Sequence, residues 1–569
     1  DLTIDTGSGA GNISINPTIA GTAAGGDTTS EDITLDAGTG NIELLNTGAA
    51  VIATDIGDVT LTGTTISVYD NITTTATDSD GNAGVIDING AFVLEDSITI
   101  ATNNASIDFD TTIASDSTPR ALTIQQGSGT VTVGGDIGGT ANNDLGAITI
   151  GATGNNGNIT LSGSIGTDSI AAATTLAIGN SSTAKITLGG AEYNSSSTQT
   201  WTADEFAVNG TDATFTTNNA DVDFVDGASG NFILGNNADL TITTSGGNIE
   251  IASTMQLLGI NGNAAQDVVL NAGTGSVTVG VIGSTTAEIN DITLTGDGGV
   301  TLKGNITTRA HTVTAENGST SEDTGKLIIN DNIELAGTNI TIDTSHGTAG
   351  GDVDINGTID STDGNRGLTI ESGAGSVDIH DTIGGNASDH LGSLTINSSG
   401  TGAIAIEQIG QDADAGVEGN VAIGNSTTTS VTFDGIDYNV GGTGTLTVTA
   451  AASGGDNSGE NILFTAGALA EVKTNNQAID FNGTISLGAS SPVTFESSGG
   501  AITIDSVMGA STNVALVVNA NAASATDTSE TISIGAIGSD DEVGAITLTG
   551  RDGITLTGAI YTADDGSLA

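Results

Sequence analysis

The sequence predicts an all-β fold, a parallel β-helix whose rungs are about 25 residues long and carry three strands each. Three observations lead there: a long internal repeat, a short period inside it, and the residue types that fill the period. RALTIQQGSGTVTVGGDIGGTANNDLGAITI from Arg120 and RGLTIESGAGSVDIHDTIGGNASDHLGSLTI from Arg366 align without a gap at an offset of 366 − 120 = 246, with 15 of 31 positions identical. Flanking segments keep nearly the same offset. LAIGNSSTAKITLGGAEYN from Leu176 answers VAIGNSTTTSVTFDGIDYN from Val421, and DITLTGDGGVTLKGNI from Asp291 answers AITLTGRDGITLTGAI from Ala545.

The short period resolves into strand-like triplets. One rung reads Leu122-Thr123-Ile124, Val131-Thr132-Val133 and a lone Ile137 before Gly138-Gly139. The next reads Ile148-Thr149-Ile150, Ile159-Thr160-Leu161 and Ile165 before Gly166. In the second copy the matching starts are Leu368, Leu394 and Val421, spaced 26 and 27 residues. Each triplet alternates apolar, Thr, apolar, so two side chains point inward and Thr points out. Gly, Asn, Asp and Ser fill the gaps and suit sharp corners. Stacked rungs then bury a continuous Ile/Val/Leu core. Ile124, Val131, Ile137, Ile148, Ile159 and Ile165 are expected inside, with Thr123 and Thr149 outside. A row of immunoglobulin-like sandwiches is the rival fold, but it needs about seven strands per ~100 residues and linkers between units.

Composition favours one continuous architecture over 1–569. There are 85 Gly but only 3 Pro, aromatics make up 3 %, and Cys is absent. The long repeat of about 245–255 residues divides the chain roughly into 56–290 and 291–545, with partial copies 1–55 and 546–569. Disulfides and thiolate metal sites are excluded. No apolar run is long enough for a membrane helix. Both ends read as ordinary rung material rather than caps, so the chain is expected to continue beyond each, in its own polypeptide or a neighbouring subunit.

With 8 basic against 68 acidic residues, the net charge is −60. That excludes nucleic-acid binding, which needs a basic face. Cations are the expected partners, Ca²⁺ above all because it takes carboxylate and carbonyl oxygens.

GNITLSGSIG (Gly157 to Gly166), DITLDAGTGNIEL (Asp32 to Leu44) and DITLTGDGGVTLKGNITT (Asp291 to Thr308) resemble filamentous-haemagglutinin-type repeats. They are similar to the β-strand-repeat regions of very large secreted bacterial adhesins, and the likeness of pattern covers essentially the whole chain. The resemblance implies an extracellular stalk or fibre at the cell surface.

Candidate sites are few. Asp78-Ser79-Asp80-Gly81-Asn82 resembles the start of a Ca²⁺ loop, with Asp78, Asp80 and Asn82 as oxygen ligands. It lacks the downstream bidentate Glu, and an acidic turn is the plainer reading. Gln411-Asp412-Ala413-Asp414 and Asp221-Val222-Asp223 are weaker versions of the pattern. Trp201 aligns with Leu446 of the second copy and reads as core rather than as a sugar-stacking platform. His311, His346, His380 and His390 show no ligand spacing and read as surface residues. Arg120 and Arg366 are repeat mates, which implies a structural role at a turn. The sequons at Asn71, Asn158, Asn305 and Asn339 matter only in a host that glycosylates Asn. Columns of one outward Thr per strand lack the paired Thr of an ice-binding face.

The expected function is therefore non-catalytic: a rigid acidic rod that self-associates into a fibre, sheath or surface layer, requires no cofactor beyond a possible Ca²⁺, and could contact surface glycans or neighbouring cells. The alternative is a polysaccharide-binding or polysaccharide-cleaving β-helix. That alternative requires repeat-breaking acids and bases gathered on one face, whereas a structural rod scatters them.

Overall fold

The computed structural model describes the chain apart from residues 22–30, 46–51, 54–55, 75–83, 140–143, 152–156, 168–172, 261–265, 288, 310, 315–319, 324, 347–349, 362–363, 386–389, 412–413, 452–460, 489–491, 510–513, 522–528, 539–541 and 563–569. Two compact units are present, Asp1–Gly280 and Val281–Ala569. Each is a parallel β-solenoid with three strand positions per turn, and the described residues contain no helix.

In the first unit one inward column runs Ile19, Ile52, Ile72, Ile100, Ile124, Ile150, Ile178, Trp201, Phe224, Ile251, each residue the register partner of the next. In the second unit the matching column runs Ile282, Ile306, Ile342, Ile370, Ile396, Ile423, Val448, Phe481, Ile504, Ile534, Leu556. Side chains alternate along a strand, so a fixed register in one turn fixes which residues face inward in all of them. Ile124, Val131, Ile137, Ile148, Ile159 and Ile165 are buried, as the triplets predict. Thr123 and Thr149 are half-buried, stack on one another and face out; Thr369 and Thr395 do the same.

The strands differ from the predicted triplets at some corners. Ile56–Val68 is a single strand that passes from one face to the next, with its register shifting between Thr62 and Thr65. Turn length also varies. From Ile306 to Ile342 it is 342 − 306 = 36 residues, because the antiparallel hairpin His311–Thr314/Thr320–Asp323 is inserted at a corner.

Corners are held by side chains that continue the ladder where backbone acceptors run out. Asp32 Oδ1 accepts the Asp58 N–H at 2.9 Å, and Asp58 Oδ1 accepts the Val85 N–H at 2.8 Å. Asp212, Asp239 and Asp267 form a second such run, at 3.1 and 2.8 Å. Asn71, Asn305 and Asn339 play the same part toward Thr99, Thr341 and Gly367, which gives three of the sequon asparagines a structural task. Inward hydroxyls close other corners. Ser372 donates to the Gly375 carbonyl at 2.8 Å, Thr474 to Gln477 at 2.6 Å, and Thr244 to Gly247, with all three hydroxyls buried. Gly127 and its repeat mate Gly373 both take φ of 58°, a left-handed conformation that glycine adopts without steric cost. At Gly129 an added Cβ would lie 2.0 Å from the Ala105 carbonyl oxygen one turn away, so the corner stacks only without a side chain.

Each unit carries an extended aromatic cluster in its core, and the first also holds the edge-on pair Phe92–Phe109. Tyr193, Trp201, Phe206, Phe215, Phe224 and Phe232 pack as stacked and edge-on rings in the first. Phe433, Tyr438, Phe464, Phe481 and Phe495 do so in the second. Trp201 is fully buried, as expected, but its alignment with Leu446 shifts. The pairings Leu176↔Gln199 and Val421↔Leu446 place Gln199 at the Leu446 position and Trp201 at that of Val448. The cause is a two-residue difference between Tyr193–Gln199 and Tyr438–Leu446. Gln199 is wholly buried yet fully partnered. Its Nε2 donates to the Tyr193 and Thr216 carbonyls at 2.8 and 3.0 Å, and its Oε1 accepts the Trp201 Nε1–H at 3.2 Å.

Two outcomes follow. Ile148 pairs with Leu122 on one side and Leu176 on the other. Replacing it with Asp buries an unpaired charge, and chemical denaturation should show a loss of about 4 kcal/mol or more. Gln199→Leu keeps the volume but leaves the buried indole N–H of Trp201 unpartnered and removes a second hydrogen bond from two ladder carbonyls, and should cost about 2 kcal/mol; an unchanged denaturation midpoint would remove Gln199 as the organiser of that cluster.

Candidate functional site

The outward faces set the electrostatics. Acidic side chains meet across consecutive turns at Asp87↔Asp108, Asp223↔Glu250 and Asp354↔Asp378. Asp221 is committed to the fold, since its Oδ1 accepts the Asn248 N–H at 2.7 Å. Burial, with Asp221 and Glu250 nearby, pushes the Asp223 carboxyl up to about 6. Burial likewise raises Asp239, Asp331, Asp378, Glu407 and Asp505.

Cations are placed singly. Arg120 grips Asp116 in a two-pronged bond, Nε to Oδ1 at 3.1 Å and Nη2 to Oδ2 at 3.0 Å, and reaches Asp96 at 3.6 Å. That bond holds the Asp116 carboxyl below its usual range. The turn role inferred from the repeat is visible in the backbone: Arg120 N–H donates to Ser115 Oγ at 3.0 Å, and Arg366 N–H donates to Ser361 Oγ at 2.7 Å. Lys185 pairs with Glu205 at 2.7 Å across neighbouring turns.

Of the sequence candidates, Asp78, Asp80 and Asn82 lie outside the described residues, as do Asp412 and the side chains of His311 and His346. Gln411 and Asp414 close a small antiparallel bridge. His380 is half-exposed, its Nε2 3.4 Å from Asp354 Oδ1 and 3.5 Å from Asp378 Oδ2. Among the described residues no group of three or more His, Cys, Asp or Glu is placed to hold a metal ion.

His390 lies at the surface, as expected, but is partly enclosed. Its side chain is 15 % exposed, with Nδ1 3.1 Å from Glu418 Oε1. The reason is its position just before Leu391, which starts an inward column through Val417, Val440, Thr474 and Ser497 over five consecutive turns. Residues flanking that column, His390, Glu418, Asn475 and Ser498 among them, line an open groove of about 630 Å³ with Asp414, Lys473 and Glu496. Lys473 pairs with Glu471 and has Asn439 and Glu496 as register neighbours. The groove is where the long repeat breaks. Asp144 stands at the His390 position in the first copy, and the turns after Tyr193 carry Thr216 and Thr243 where those after Tyr438 carry Lys473 and Glu496. Mapping those departures onto register would have exposed the groove; the triplet pattern, which tracks apolar positions, passes over it.

A carboxyl raised in the folded state binds its proton there at a pH where the unfolded chain, at about 3.9, has lost it. Stability contributed by Asp223 is thus greatest near pH 4 and falls as pH rises through about 6. The thermal midpoint should be higher at pH 5 than at pH 7, and Asp223→Asn should narrow the difference. A midpoint that is equal or higher at pH 7 than at pH 5 contradicts the assignment.

Comparison of the chain with family models, with curated proteins and with solved structures finds no match.

Proposed function

We propose that this chain is a non-catalytic structural and adhesive element of an extracellular surface, an acidic solenoid that builds a fibre, sheath or surface layer. The observation that carries the reading is the combination of a parallel solenoid in each unit with a net charge of −60. A solenoid presents its outward side chains at a regular spacing of about 4.8 Å along the stack. Here those positions repeatedly hold carboxylates in adjacent turns, such as Asp87 with Asp108 and Asp354 with Asp378. Such faces repel one another in water, and divalent cations relieve the repulsion by sharing oxygens between neighbours. Ca²⁺ is the cation this chemistry favours, and assembly is its consequence. Basic residues number only 8, too few to provide a complementary face for direct ion pairing between copies.

The test is assembly followed by light scattering and electron microscopy. Millimolar Ca²⁺ should promote association of the 569-residue chain, and a chelator at low salt should reverse it. Association unchanged by chelation and by salt between about 10 mM and 1 M, where the screening length falls from about 30 to 3 Å, would overturn the cation-bridging mechanism.

A further inference from the structure

The geometry points to the groove beside Leu391–Val417–Val440–Thr474–Ser497 as a binding site for a linear oligosaccharide that is neutral or carries amino groups. This goes beyond a role in assembly and does not depend on it. Five consecutive turns contribute to the groove, so it runs along the stacking direction for about 19 Å, four strand spacings. A ligand that fills it is extended.

The lining identifies the ligand class. Asn439, Asn475, Thr474, Ser498, His390 and Lys473 offer amide, hydroxyl, imidazole and ammonium groups at successive levels. Gly441 and Gly442 keep one stretch of wall free of side chains, and among the described residues Val440 and Ala415 are its only aliphatic lining. A peptide held by its apolar side chains has no pocket there. The groove strands are already paired with the turns on either side, so no free edge is open for strand addition. A polyanion meets Asp414, Glu418 and Glu496, while Lys473 is engaged by Glu471. A chain of hydroxyl-rich rings, uncharged or positive, satisfies all of these conditions.

His390 is the lining residue that sets the groove apart from the first copy, where Asp144 stands in its place. Its Nδ1 is held by Glu418, and its Nε2 is buried without a hydrogen-bond partner. Among the described residues no aromatic platform lines the groove, so single-site binding is weak and the measurement has to suit fast exchange.

Saturation-transfer NMR on the full 569-residue chain meets that need, with three tetrasaccharides as ligands: N-acetylglucosamine, glucosamine and galacturonic acid. The first two, or either one, should receive saturation, and the galacturonate should not. Ser498→Trp, which obstructs one end, and His390→Gln, which removes the imidazole, should each reduce the transfer at least fivefold. Thr123→Ala, on an outward face of the other unit, should leave it unchanged. Circular dichroism checks each variant, and Glu418→Gln replaces any that fails to fold. No transfer to any tetrasaccharide, preference for galacturonate, full transfer from the Ser498→Trp chain, or loss of transfer on adding a chelator would each overturn the proposal.

Discussion

Everything in this protein depends on one constraint: the backbone of each turn is hydrogen-bonded, in parallel and in fixed register, to the turns beside it. The ladder leaves strand N–H and C=O groups partnered without help from side chains. It also multiplies every local choice, because a residue that faces inward at one level has partners above and below that must do the same. Ile148 between Leu122 and Leu176 shows the rule in its simplest form. Gln199 shows what an exception requires, since a polar group enters that column only with both carbonyls and an indole N–H arranged to receive it.

Much of this was legible in the sequence. Alternation in Leu122-Thr123-Ile124 and Ile148-Thr149-Ile150 fixed which side chains are inside, and the gapless alignment of the Arg120 and Arg366 segments fixed the period. Corners were less legible. Nothing in a run of Gly, Asn, Asp and Ser distinguishes an Asp that caps the next turn, such as Asp58, from one that only meets solvent. The inward hydroxyls of Thr244 and Ser372 were hidden for a similar reason, since Thr and Ser are also the commonest outward residues. The His390 groove escaped because its parts lie more than a hundred residues apart and come together only through register.

The acidic composition has two distinct physical roles. Some carboxylates, Asp32 and Asp221 among them, accept backbone N–H groups and belong to the fold. Others, such as Asp223 beside Glu250, sit next to like charge and oppose it. A chain of ordinary composition relieves the second kind with Lys or Arg partners. This one has few, and pairs such as Arg120 with Asp116 and Lys185 with Glu205 reach only a small share of its carboxylates.

The inserted hairpin His311–Thr314/Thr320–Asp323 carries a consequence for how such a chain changes over time. The turn that holds it is lengthened to 36 residues, yet Ile306 still meets Ile342 in register. Corners therefore accept extra chain with only a local register shift, here between Thr307 and Arg309, while an added residue within a strand triplet would turn the side chains beyond it to the wrong face as far as the next bulge or corner. Two rates of drift should coexist in one molecule. The strands keep their length and let residues vary within a narrow apolar alphabet, and the corners vary in length and chemistry together. New surface features, the groove included, have room to arise where the ladder bends.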